Sequence, residues 1–245
     1  MVRFTKNGTV KNMTREEYLS ELLKAYRLVS VLSDKNGCRV MRMRNKALAR
    51  DIVVRSFPDP VHTYDELYQI RCKNLPLVYD SVILEDGQIV LEEFIDGITV
   101  AEVMESGKYK YRGAKKVLCS VCNALSVLHQ KNIVHRDVKP ENIIIDKNGR
   151  VVLIDFNASR KISANTRDTV IMGTAGYVSP EQLGVTQSDN RTDIYALGIL
   201  LNVMLTGKHP SETLVTGRSR NIVKKCTDIN PDGRYSDVGK FYKAL

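Results

Sequence analysis

His135 to Asn142 reads HRDVKPEN, and it places an Asp (Asp137), a Lys two positions on (Lys139) and an Asn five positions on (Asn142) on one short stretch. A helix-like segment, Ala114 to His129, precedes it, and an apolar run, Ile143 to Ile145, follows. The stretch is therefore expected to be a loop between two ordered elements. Phosphoryl transfer needs such a set: a carboxylate to orient the attacking hydroxyl and take its proton, a cation near the moving phosphate, and an amide oxygen for magnesium. A surface turn that is polar by chance is the plain alternative. The length of the string and the motifs that follow it in register weigh against that alternative.

The string resembles the catalytic loop of the eukaryotic-type protein kinases, in the serine/threonine form that Lys139 marks. That resemblance runs from about residue 27 to 245 and implies an α+β, two-lobed kinase fold: a small β-rich lobe, a mainly helical large lobe, and ATP with Mg2+ between them. It implies that Asp137 is the catalytic base, Lys139 the phosphate-contacting lysine and Asn142 a metal ligand. Asp155-Phe156-Asn157 stands where the family has DFG, so Asp155 is the second metal ligand. Asn157 replaces the glycine and is expected to adopt left-handed angles, which Asn tolerates better than other non-glycine residues.

The activation segment, 158–181, ends GTAGYVSPE. Ser159, Ser163, Thr166 and Thr169 are candidate phosphorylation sites, though loop polarity accounts for each singly, and Arg136 is the cation that would receive a phosphate. Thr174 is expected against the catalytic loop. Asp193 is expected to bond the catalytic-loop backbone, and Glu181 to pair with Arg234. Only about a dozen residues separate His209 from Ile222, so the substrate-docking helix that the family has there is shortened or missing.

The first part of the chain departs more. LVSVLS, CRVMRMR and RDIVVRSF read as three strands, with two more around Val78 to Leu84 and Gln88 to Phe94. The family's glycine-rich loop is lost: Ser33, Lys35 and Cys38 stand at the glycine positions, Gly37 is off register, and Val40 takes the valine's place. Fifteen residues after Val40 the strand lysine is replaced by Arg55, whose planar fork places its donors differently from an ammonium. Lys35 is the nearest alternative cation. The helical glutamate that pairs with this cation is Glu66, with Asp65 as competitor. The resemblance implies ATP contacts from Val40, Val53, Arg55, Ile144, Lys35 and the hinge residues Glu93, Phe94 and Ile95. Glu92 falls at the gatekeeper position, where a carboxylate buried alone is costly. Either it lies within reach of Arg55 and the two departures are coupled, or the strand register is shifted by one and Glu92 faces solvent.

Thr14 and Glu17 form a capping box for a helix whose apolar stripe is Leu19, Leu22, Leu23 and Tyr26. The expected organisation is a helical extension over 1–27 and a kinase domain over 28–245, with small lobe 28–92, hinge 93–96 and large lobe 97–245. A chain of 245 residues with 43% hydrophobic and 27% charged residues is an ordinary globular composition. No apolar run approaches the roughly 20 residues that span a bilayer, and the N-terminus lacks a signal-peptide core, so a cytoplasmic protein without a membrane segment is expected. Five cysteines are an odd, irregular set that suits reduced thiols. Cys119 and Cys122 form a CxxC, but they lie on helical spacing among apolar residues, which favours packing over metal or redox chemistry. The net charge of +9 is scattered, without aromatic interleaving, so no nucleic-acid partner is expected.

These residues point to a serine/threonine protein kinase acting on a protein substrate. The alternative is a pseudokinase that binds nucleotide or scaffolds without turnover, favoured by the lost glycines, Arg55 and Asn157. A small-molecule kinase is a third reading, against which GTAGYVSPE and the Glu181 with Arg234 pairing argue.

Overall fold

The structure, a computed structural model, describes residues 13–162, 173–183 and 187–245. It divides into two compact units. The first runs to Arg71 and resumes over Pro76–Ile95; the second comprises Cys72–Leu75 and Asp96–Leu245.

In the first unit, helix α1 (Arg15–Ala25) begins at the expected capping box, with Thr14 accepting from the Glu17 amide and Glu17 accepting from the Thr14 amide at 2.8 Å. Tyr18 and Leu22, four apart and so on one face, are its buried residues. Leu23, assigned to the apolar stripe, instead lies exposed, because one residue further turns the side chain by about 100°. Leu19 and Tyr26 sit at the margin, and Tyr26 already opens the first strand.

Five strands follow: β1 (Tyr26–Lys35), β2 (Cys38–Asn45), β3 (Asp51–Phe57), β4 (Val78–Leu84) and β5 (Gly87–Glu93), with helix α2 (Thr63–Leu67) between β3 and β4. They form one antiparallel sheet in the order β1-β2-β3-β5-β4. Alternation sends Met41, Met43, Ile52, Val54, Ile89 and Leu91 to one face, where they pack with Tyr18 and Leu22. The helix read as an extension is thus part of this unit's core. The other face of β3 and β5 carries Val53, Arg55, Val90 and Glu92. The β1–β2 connection is the two-residue turn Asn36-Gly37, both with positive φ (53° and 75°), the mirror-image turn that matches strand twist. The two-residue Glu85-Asp86 turn leads into Gly87, where a Cβ would come within 1.9 Å of the Phe57 carbonyl oxygen.

The second unit contains β6 (Gly97–Thr99), α3 (Val100–Glu105), α4 (Tyr111–Gln130), β7 (Ile133–Val134), β8 (Ile143–Asp146), β9 (Val151–Leu153), β10 (Arg160–Lys161), α5 (Asn190–Thr206), α6 (Arg218–Cys226) and α7 (Val238–Ala244). Strands β6, β8 and β9 form one small sheet and β7 with β10 another. Helix α4 buries Val117, Leu118, Val121, Cys122, Leu125 and Leu128, and burial pushes the Cys122 thiol far up, as packing of the CxxC requires. All five cysteines are free thiols. Gly207, at φ 74°, ends α5, and residues 207–217 reach α6 without a helix. Among the described residues no helix is long and apolar enough to cross a membrane.

Candidate active site

The catalytic loop leaves β7 at Val134 and re-enters regular structure through a single 3-10 turn, Pro140–Asn142, with proline at the position where its missing N–H is harmless. Between them the backbone is held from α5. Asp193, fully buried, accepts from the amides of His135 (3.0 Å) and Arg136 (2.8 Å) and from His129 Nε2 (2.8 Å). Burial alone would raise its carboxyl, but the His129 hydrogen bond and charge hold it below the usual carboxylate range. These bonds fix Arg136 at φ 68°, a left-handed conformation that costs a non-glycine residue about 1–3 kcal/mol.

The loop converges on Asp137. Its Oδ1 accepts from the Thr174 hydroxyl at 2.7 Å, and its Oδ2 from Lys139 Nζ at 2.9 Å and Asn142 Nδ2 at 2.8 Å. Lys139 also donates to Thr174 Oγ1. Burial would raise the Asp137 carboxyl; the hydrogen bonds from Lys139 and Thr174 outweigh it and keep the group ionised, below its ordinary value. Asp137, Lys139, Asn142 and Thr174 are therefore brought together as the sequence suggests.

His135 is fully buried beneath this cluster. Its Nδ1 faces the Asp137 amide at 3.3 Å, so Nε2 carries the proton and donates to the Ile154 carbonyl at 3.2 Å; its ring meets Phe156 edge-on at 5.2 Å. Burial pushes the imidazole below its ordinary value of about 6.5. A depressed histidine binds its proton less readily folded than unfolded, so its contribution to stability is complete above pH 6.5 and is lost as pH falls below that value. The melting temperature is expected to fall more steeply between pH 7.5 and 5 in the wild type than in His135→Phe; equal slopes would refute this.

Asp155 follows β9 at φ 69°. This corrects one expectation: the left-handed residue of the DFN triplet is Asp155, and Asn157 does not have a positive φ. Asn157 instead lies in a turn closed by the Ser159 amide donating to the Phe156 carbonyl at 3.0 Å. The donor set fits magnesium. Asn142 spends its amide N–H groups on the Asp137 carbonyl (2.9 Å) and carboxylate, which orients its oxygen as an acceptor, and the Asn142 carbonyl accepts from the Ile154 amide (2.9 Å), bringing it beside the Asp155 backbone. Among the described residues no three His, Cys, Asp or Glu gather as a metal site. Magnesium needs fewer, because it retains waters and takes phosphate oxygens.

In the activation segment Ser159 is half-buried and donates to the Phe156 carbonyl, so its hydroxyl is already engaged. Ser163, Thr166 and Thr169 lie outside the described residues. Glu181 and Arg234 form a buried two-pronged pair (2.6 and 2.9 Å), with Thr192 also donating to Glu181. Gln182 donates to the Arg136 carbonyl at 3.0 Å, fastening the end of the segment to the catalytic loop.

In the first unit Arg55 Nε donates to Glu92 Oε1 at 2.6 Å, with both residues buried, at 5% and 2% exposure. Register explains the contact: Arg55 lies opposite Val90 and Glu92 opposite Val53, so the two charges are diagonal neighbours on one face. The alternative of a solvent-facing Glu92 is overturned. Asp65 accepts from Ser81 of β4 (3.1 Å), whereas Glu66 sits half-buried on α2, a helix of only five residues. Lys35 is exposed at the end of β1. Val40 pairs with Arg55 across β2 and β3, and Val53 is buried. Glu93 Oε2 accepts from the Leu77 amide at 3.1 Å, and Ile95 is buried. In the second unit Ile144 is half-buried on β8. Sequence reasoning missed Arg42, which donates to Asp51 at 2.7 Å and lies 4.1 Å over the Phe94 ring; as one of three arginines along β2, it gave no distinguishing signal.

The site thus holds a carboxylate between a lysine, an asparagine and a threonine, with Asp155 following after the next two strands. A family profile described as "Protein kinase domain" matches residues 62–237. The chain belongs to the protein kinase family. The match begins after β3, and the divergent strands β1 to β3 lie outside it. Serine/threonine-protein kinase PknB of Mycolicibacterium smegmatis is 33% identical over 218 residues, covering 81% of this chain and 34% of that protein. PknB of Mycobacterium tuberculosis is 37% identical over 218 residues, with the same coverage, and PknL of that organism is 40% identical over 147 residues, covering 58% of this chain and 36% of PknL. The chain spans about a third of the length of these relatives.

Proposed function

We propose that this chain is an ATP-dependent kinase that transfers a phosphoryl group to Ser or Thr hydroxyls of proteins, itself included. The observation that carries the proposal is the Asp137 carboxylate, ionised and oriented by Thr174, Lys139 and Asn142. Asp137 orients the acceptor hydroxyl and takes its proton as the new O–P bond forms and the bond to ADP breaks; the proton then passes to solvent. Lys139 offsets charge on the moving group. Asn142 and Asp155 would hold magnesium, which when bound offsets negative charge on the phosphates. In the first unit, the sheet face bearing Val40, Val53 and Arg55 would contact nucleotide, with Arg55 in the lysine's role and tied to Glu92. The buried Glu181 with Arg234 pair supports a protein acceptor, since it anchors a backbone platform rather than a small-molecule pocket. Five free thiols suit the cytosol, and the scattered basic residues give no reason to add a nucleic-acid partner.

Incubation with labelled ATP and magnesium should place phosphate on Ser or Thr of the chain, read by mass spectrometry, and chelation of the metal should abolish it. No phosphate in either sample, with ATP still raising the melting temperature, would support a nucleotide-binding module instead.

A further inference from the structure

The segment that follows Thr174 is held from an unexpected direction. Residues 207–217, which connect α5 to α6 without a helix, are organised by Asn202, a fully buried side chain of α5. Its Nδ2 donates to the carbonyls of Lys208 and Thr213, both at 2.8 Å, and its Oδ1 accepts from the Val215 amide at 2.9 Å. One amide thereby fixes three points of the loop, and with them the start of the next residue pair, His209 and Pro210.

His209 projects from this pinned loop to the activation segment. Its Nδ1 accepts from the Ser211 amide at 3.2 Å and lies 2.7 Å from the Ser211 hydroxyl, which places the ring proton on Nε2. Nε2 donates to the Gly176 carbonyl at 3.0 Å. Gly176 stands two residues after Thr174, whose hydroxyl bonds Asp137; its φ is 88°, and the turn it belongs to is closed by the Tyr177 and Val178 amides donating to the Thr174 carbonyl (3.0 and 3.2 Å), which leaves the Gly176 carbonyl for His209. Ala175 and Gly176 are exposed. This exposed backbone lies within two residues of a side chain that bonds Asp137, so an acceptor chain whose Ser or Thr reaches Asp137 passes close to it.

We propose that His209 is a positioning residue for the acceptor polypeptide: it fixes the 175–177 turn through the Gly176 carbonyl, anchored in turn by Asn202. The inference rests on the protein-kinase reading above and identifies a segment of the substrate platform in this chain. Neither Gly176 nor His209 is among the groups bonded to Asp137, so the effect belongs to acceptor binding and not to nucleotide binding or chemistry.

The test compares wild type, His209→Ala and His209→Gln, the last keeping a side-chain N–H for the Gly176 carbonyl. The probes are ATP and peptides with one central Thr, the fastest-phosphorylated sequence being used for kinetics. His209→Ala should raise the peptide KM about five- to tenfold, the worth of one hydrogen bond, with the ATP KM unchanged and kcat within about twofold. His209→Gln should recover most of the loss. An unchanged peptide KM would overturn the proposal, as would ATP and peptide KM rising together. Hydrogen exchange of the 175–178 amides in the nucleotide-free chain is measured in parallel: it should quicken in His209→Ala and not in His209→Gln. If no variant transfers phosphate, the kinase reading fails separately, and exchange unchanged in His209→Ala would then overturn the positioning role by itself.

Discussion

Asp137→Asn is expected to lower the rate of phosphoryl transfer by about 10²- to 10⁴-fold, the contribution of a positioned base, while leaving the fold intact. The geometry explains why both halves hold. Each Asp137 oxygen now receives donors: Oδ1 from Thr174, Oδ2 from Lys139 and Asn142. An amide at this position sets its NH2 toward Thr174, whose hydroxyl can rotate to accept, and keeps its oxygen toward Lys139 and Asn142. The side chain stays in place and loses only its capacity to take a proton. The exchange of a charge-assisted bond for a neutral one costs on the order of 1 kcal/mol, so the melting temperature should fall by a few degrees at most. Transfer within tenfold of wild type would remove Asp137 from the role of base. Loss of transfer together with loss of folding would assign it a structural role instead.

The buried Arg55 with Glu92 pair should show the largest stability effect in the first unit. Glu92→Leu takes a carboxylate away from a guanidinium 2.6 Å distant in a site where both side chains are nearly inaccessible, 6% and 3% exposed. Breaking such a pair from one side costs about 3–5 kcal/mol, because the remaining charge keeps its desolvation penalty. Arg55→Lys alone should also destabilise, since a compact ammonium cannot reproduce the Nε–H geometry of the planar fork. Combining the two removes the buried carboxylate and leaves a smaller cation with more freedom to reach water. Chemical denaturation should therefore show the double variant to be at least 1 kcal/mol more stable than the sum of the single effects predicts, within the range that contacting residues show. Additive losses would mean that the two departures from the family pattern are independent.

What could be read in the sequence was local. Thr14 and Glu17 are three apart, so their reciprocal caps are a property of one helical turn. Asp137, Lys139 and Asn142 lie within six residues, and the 3-10 turn at Pro140 is sufficient to fold them onto one another. The CxxC on α4 sits on an apolar stripe that periodicity already showed. The Asn36-Gly37 turn is of the same local kind, an Asn-Gly pair between two strands.

Tertiary structure decided the rest, and the separations say why. Asp193 restrains a backbone 57 and 58 residues away, Glu92 meets Arg55 across 37 positions, and His209 reaches Gly176 across 33. Composition and spacing supply the partners of such contacts without the register that joins them. Leu23 illustrates the limit on a helix: hydrophobicity placed it on the buried stripe, yet the face that docks is the one carrying Tyr18 and Leu22, which join the apolar cluster of the sheet. Asn157 illustrates it on a loop, since the positive φ settled on Asp155. The sequence by itself determined which groups could do the chemistry, because they are covalently close. Only the packed sheet and helices decided which of those groups are held ionised, strained and oriented, because long-range hydrogen bonds and buried charges exist only once the surrounding surface has been removed from water.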